Sequence, residues 1–201
     1  MTRLTIFLMA MLMAFSIDMA AQKKSKNKSD DKEFTYSSDL VSGLNVRGIG
    51  PALTSGRIAD LAVNPSNPFE YYVAVASGGV WKTTNAGTTY EPIFDSHGSY
   101  SIGCVSIAPS NEHVVWIGTG ENNNQRSVAY GDGVYKSEDG GATFKNMGLK
   151  ESEHIGNILI HPTDQNTVYV SAYGPLWSEG GERGVYKTTD GGENWELILE
   201  I

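Results

Sequence analysis

One short phrase occurs three times in this chain, as TTNAGTTY at residues 83–90, SEDGGATF at 137–144 and TTDGGENW at 188–195. The copies stand about fifty residues apart, and a fixed period of that length marks a repeat architecture rather than one irregular domain. Just before each copy runs GVWK (79–82), GVYK (133–136) or GVYK (184–187), an alternation of apolar and polar residues that suits a half-buried strand. Further upstream, apolar runs at 58–63, 102–108 and 155–161 are each followed by a proline, Pro65, Pro109 or Pro162, which cannot continue a central strand. Beyond each proline come turn residues and another β-rich run, at 71–75, 114–118 and 167–172. A fourth run starts at Tyr90, Phe144 and Trp195.

Each repeat therefore reads as four short antiparallel strands, over about 58–94, 102–147 and 155–199. Four-stranded units repeated at this length predict propeller blades. The fold class expected is all-β, a partial β-propeller of three such blades within residues 44–201. A helical solenoid would need a 3.6-residue period in the same windows, and none is present.

Turn chemistry explains the repeated phrase. Between the third and fourth strands the chain must reverse tightly, and Gly87, Gly141 and Gly192 supply a positive φ. Asn85, Asp139 and Asp190 can accept hydrogen bonds from amides of their own turn. The closing aromatics Tyr90, Phe144 and Trp195 can bury a large apolar area between blades. Asp139 and Asp190 could also be read as catalytic carboxylates or calcium ligands. A residue with the same local task in every repeat is a poor match for the unique residue of one active site.

The phrase resembles the Asp-box, or bacterial neuraminidase repeat, Ser/Thr-x-Asp-x-Gly-x-Thr-Trp/Phe. Residues 137–144 fit it throughout. Residues 83–90 depart from it at Asn85 and Tyr90, and residues 188–195 at Asn194, with turn and aromatic retained. The spacing of GVYK, box and upstream strand looks most like the sortilin N-terminal propeller and its large bacterial relatives, and is similar to xyloglucan-hydrolysing endoglucanases. What that resemblance implies is a closed ring, which three blades do not complete. The expectation is therefore an N-terminal piece of a larger propeller, with the remaining blades C-terminal or supplied by other chains.

The first residues concern address. Arg3, an apolar run over 4–17 and Met19-Ala20-Ala21 have the three regions of a signal peptide, here residues 1–21. The run is short for a bilayer span, so no transmembrane segment is expected in the mature piece, and the location expected is secreted or periplasmic. Residues 22–43 open with QKKSKNKSDDKE and hold few core formers, which predicts a disordered linker. Its lysines suit a solvated tether better than a nucleic-acid patch, because the whole chain carries a formal charge of -8. After it, residues 44–49 are a candidate ring-closing strand. Cys104 is the single cysteine, so no intrachain disulfide can form.

In a four-stranded blade the loops between the second and third strands open on the side opposite the boxes, together with the starts of the first strands. That mouth would gather Arg57, Tyr100, Ser101, His154, residues 121–132 and residues 174–183. Loops longer than a hairpin requires commonly carry function on a rigid scaffold. Glu121, Asn122, Asn123 and Arg126 supply hydrogen-bonding groups, and Tyr173 and Trp177 flat apolar surfaces. These residues and Arg57 are the candidate contacts to a glycan, peptide or protein ligand.

A glycosidase needs two carboxylates across the scissile bond; Glu121, Asp132, Glu153 and Glu179 lie on the expected mouth face, no spacing rule identifies a pair, and Glu121 and Asp132 are the candidates named here. In xyloglucanase-like relatives an Asp precedes the Gly-Gly of the first blade, where this chain reads Ala76-Ser77-Gly78-Gly79. The sialidase-like arginine triad is likewise not established by Arg47, Arg57, Arg126 and Arg183. The chain holds no Gly-x-Ser-x-Gly elbow, phosphate loop or His-Glu-x-x-His site, and neither cofactor nor metal is expected. An exported binding propeller is preferred; the alternative is a glycoside hydrolase completed by further blades.

Overall fold

The computed structural model describes residue 43, residues 56–123 and residues 128–200. The signal-like segment, the charged linker apart from Gly43, the strand expected at 44–49 and Arg126 lie outside the described residues. Beyond Gly43, the described residues lie in one unit, Gly48–Ile201.

Three four-stranded antiparallel sheets follow one another along the chain, each a simple meander. Blade 1 is β1 (Ile58–Val63), β2 (Tyr71–Val75), β3 (Gly79–Thr83) and β4 (Glu91–Pro92). Blade 2 is β5 (Ile102–Ala108), β6 (Asn111–Thr119), β7 (Val134–Ser137) and β8 (Lys145–Asn146). Blade 3 is β9 (Ile155–His161), β10 (Asp164–Tyr173), β11 (Arg183–Thr188) and β12 (Glu196–Leu199). The described residues are thus all-β, a run of propeller blades, with one short 3-10 turn among them at Lys150–Ser152. Strands β5 and β9 stop directly before Pro109 and Pro162, where the ladder loses a donor. Strands β6 and β10 begin earlier than their apolar runs, because polar residues continue the ladder out of a tight turn.

Strand β1 lies against β5, and β5 against β9, so the first strand of each blade is innermost. Two cores fill the gaps between neighbouring blades. Between blades 1 and 2, Tyr72, Val80, Phe94, Val105, Ile117 and Tyr135 are buried. Between blades 2 and 3 the core is built on Trp116, Val134, Ile158, Val168 and Val170. The inner strands are also stitched across: the Val105 amide donates to Asp60 Oδ2 at 3.1 Å, and Ser106 Oγ to the Ile158 carbonyl at 2.7 Å.

Candidate functional site

The three boxes are the best-defined local structures. In the second, Gly141 N donates to Ser137 Oγ at 2.8 Å and Thr143 N to Asp139 Oδ1 at 2.8 Å. Ser137 Oγ and Thr143 Oγ1 also donate to the Asp139 carboxylate, at 2.7 and 2.6 Å. The third repeats this with Thr188, Asp190, Gly192 and Asn194, and the first with Thr83, Asn85, Gly87 and Thr89. Donors from Thr143, backbone and side chain, followed by Ser137, pull the Asp139 carboxyl down to about 2. Asp190 is likewise well below the usual carboxylate range, held by Asn194 and then Thr188. Both acids are fully occupied inside their turns.

The glycines have a second task that periodicity does not reveal. Gly192 has φ 98°, and the Trp116 ring lies so close that a Cβ there would stand 2.6 Å from its edge. The box of one blade is therefore the seat for an aromatic of the blade before it. Phe144 packs edge-on to Phe94 of blade 1, and Trp195 edge-on to Trp116 of blade 2 while donating Nε1–H to the Met147 carbonyl at 2.7 Å. Tyr90 departs from this pattern. It is 43% exposed and touches Tyr71 of its own blade, with the two hydroxyls 2.8 Å apart, because its face of blade 1 meets no other described blade.

A meander places the boxes at one end of each blade and the β2–β3, β6–β7 and β10–β11 loops at the other. At that mouth, Arg57, Ser101 and His154 occupy equivalent places just before β1, β5 and β9. Their carbonyls accept from Ala76, Gly120 and Tyr173 respectively. Glu121 leaves the end of β6 and is buried, yet its carboxylate forms an ion pair with the half-exposed Arg57 of blade 1. Asn122 bridges blades 2 and 3, its Nδ2 donating to the carbonyls of Gly103 and Gly156 at 3.0 and 3.1 Å. Tyr173 reaches the same place, its ring lying against Gly156, and Asn123 is exposed beside Asn122.

Arg57, Glu121, Asn122 and Tyr173 are thus gathered along the innermost strands. Trp177 is not among them. It stands 65% exposed in a separate groove with Leu176, Tyr186 and Leu197. Arg183 holds its loop by donating to the carbonyls of Pro175 and Ser178 at 2.6 and 3.3 Å. Asp132 points to the outer part of blade 2 and accepts from Tyr135 Oη and Thr119 Oγ1.

Sequence reasoning placed His154 at the mouth without foreseeing its burial. It is fully buried, and neither ring nitrogen has a partner among the described residues. The Tyr130 ring is 5.7 Å away. Burial pushes its pKa below the usual histidine value, and nearby Glu153 only partly offsets this. Burial lowers His97 in the same way against the pull of Asp132. A histidine depressed in the folded state stabilises fully above the unfolded value of about 6.5 and loses that contribution as pH falls through the folded pKa. Urea unfolding should therefore show stability declining as pH drops below about 6.5. His154→Gln should flatten that decline in part, and His97→Gln with it the remainder. A second loss, setting in as pH falls below the usual carboxylate value, belongs to Asp139 and Asp190; an unchanged slope in both histidine variants would refute the assignment.

Three blades tied by Asp-boxes and stacked through them make this an Asp-box β-propeller chain, the class that the repeat implied. No family model matches it. Over 115 residues it is 30% identical to a xyloglucanase of Hypocrea jecorina, covering 54% of this chain and 12% of that protein. It is 21% identical over 180 residues to the human VPS10 domain-containing receptor SorCS1, covering 89% of this chain and 14% of the receptor. It is 22% identical over 188 residues to an oligoxyloglucan-reducing end-specific xyloglucanase of Emericella nidulans, covering 85% and 20%. The chain spans 12% to 20% of the length of these relatives.

Among solved structures, an ancestral GH74 enzyme superposes with a TM-score of 0.56 at 23% identity, over 71% of this chain and 18% of that one. An auxiliary nutrient binding protein of Bacteroides thetaiotaomicron gives 0.50 at 15% identity, over 73% and 31%. These likenesses establish the fold.

Proposed function

We propose that this chain is part of an exported ligand-binding propeller, in which residues 1–21 direct export, residues 22–43 tether, and residues 44–201 form blades. The ligand, a glycan, peptide or protein, meets the mouth formed by Arg57, Asn122, Asn123 and Tyr173. One observation carries the preference for binding over catalysis: both candidate acids are already engaged. Glu121 is buried in an ion pair with Arg57, and Asp132 accepts from Tyr135 and Thr119. The same pairing neutralises Arg57, which favours hydroxyl-rich or amide ligands over anionic ones.

The second reading, a glycoside hydrolase completed by further blades, is favoured by the similarity to two xyloglucanases. One experiment separates them. The complete protein is incubated with xyloglucan oligosaccharides and with sialosides, and both binding and hydrolysis are followed. Binding without turnover, weakened at least tenfold by Asn122→Ala, is the expected result. Turnover abolished by Glu121→Gln or Asp132→Asn would establish the hydrolase instead.

A further inference from the structure

Both long mouth loops are fastened to one short segment, residues 149–154, which carries the chain from blade 2 to blade 3. Residues 128–132, the strap that leads into β7, meet it where the Gly131 amide donates to the Glu153 carbonyl at 2.7 Å. The β10–β11 loop meets it through three bonds. Gly174 N donates to Ser152 Oγ at 3.4 Å, Glu182 N to the Glu151 carbonyl at 3.3 Å, and Glu151 N to Glu182 Oε2 at 2.9 Å. Tyr173, the last residue of β10, hangs on the same segment by its amide, 2.9 Å from the His154 carbonyl.

The segment is held under strain. Leu149 and Glu153 flank its 3-10 turn at φ 55° and 62°, a region unfavourable to a residue with a Cβ and kept only where the surroundings impose it. Those surroundings are close: a Cβ at Gly120 would strike the Glu153 carbonyl and stand 2.8 Å from the His154 Cα. Two buried side chains, Ser152 and His154, pin the segment from within.

The other blades show that the fold does not require a histidine there. Arg57, Ser101 and His154 stand at one place, each accepting the same backbone hydrogen bond. In blade 2 a hydroxyl fills it, with Ser101 Oγ donating to the Ala76 carbonyl at 2.7 Å. In blade 3 an imidazole fills it with neither nitrogen paired among the described residues, which costs stability when the ring is neutral and far more when it is charged. The titratable groups on the elements packed around it are Glu153 on its own segment, Tyr130 and Asp132 on the strap, Glu121 beyond β6 and Tyr173 at the end of β10. Asp132 and Glu121 are engaged elsewhere, with Tyr135 and with Arg57. Glu153 pulls toward the charged ring, and burial outweighs it.

We propose that His154 is an acid-operated latch on the mouth. Between about pH 7 and about pH 5 the ring takes a proton from solvent and leaves its buried place. The strained segment then relaxes, which frees the strap and the β10–β11 loop and shifts Tyr173. The blades themselves stay paired, because the ladders of β6 with β7 and of β10 with β11 do not pass through the segment. Opening needs no ligand, so it stands or falls separately from what the mouth binds.

Hydrogen exchange of the complete protein, read by mass spectrometry at about pH 7 and about pH 5 and corrected for the intrinsic rate, tests the latch. Peptides holding Gly131, Tyr173, Gly174 and Glu182 should lose protection at least tenfold at the lower pH. Those holding Val115 and Val170, inside central strands, should keep theirs. His154→Gln, which takes up no proton, should abolish the difference. His154→Ser carries the group that blade 2 uses at this place and should do the same, which guards against a fold upset by glutamine. Equal protection at the two pH values in the natural protein overturns the latch. So does a loss that persists in both variants, or one that spreads to Val115 and Val170 and so reports general acid unfolding.

Discussion

Trp116→Ala should reduce the unfolding free energy by about 3–5 kcal/mol, the cost of emptying a large buried aromatic site. Trp116 is fully buried at the centre of the second core, where it covers Gly192, meets Trp195 edge-on and carries Lys136 on its face. The loss therefore falls on the joint between blades 2 and 3 rather than on one ladder. The melting temperature should drop by roughly 10 °C or more. Trp116→Phe, which keeps a ring over the glycine, should cost less than half as much. Equal losses in the two variants would mean that the glycine seat contributes nothing.

Arg57→Met should destabilise by about 2–3 kcal/mol, because it leaves the Glu121 carboxylate buried without its cation. The figure is set below that of a fully buried pair, since the Arg57 side chain is 41% exposed and solvent screens it. Arg57→Met combined with Glu121→Leu should recover most of the loss, giving a coupling of opposite sign to the single changes. Urea unfolding of the four proteins measures it. Additive losses would show that the two residues act independently, and would reopen Arg57 as a free site for an anionic ligand.

Much of the blade was legible in advance because its instructions are local. Pro109 and Pro162 end strands by lacking a donor, the box side chains bind amides within four residues of themselves, and the GVYK runs mark strands, although in β7 all four residues are buried rather than alternate ones. Other features needed positions far apart in the chain to be brought together. The left-handed Ala86, at φ 56°, was hidden because alanine rarely adopts that conformation, and only Gly140 and Gly191 at its equivalent positions hint at it. Trp177 looked like a companion of Tyr173, yet Arg183 holds its loop over a different groove. Tyr90 carried the motif of a buried aromatic, but whether it is buried depends on a neighbouring blade rather than on its own turn.

The repeat alone determined the number of blades among the described residues, their strand order and the turns that close them, since in a meander each strand pairs with its neighbours in sequence. Only the tertiary structure decided which residues meet between blades: Arg57 with Glu121, Asn122 with Gly156, Trp116 with Gly192. Those contacts follow from how one twisted sheet is rotated against the next. A rotation has no signature in the order of residues along a strand.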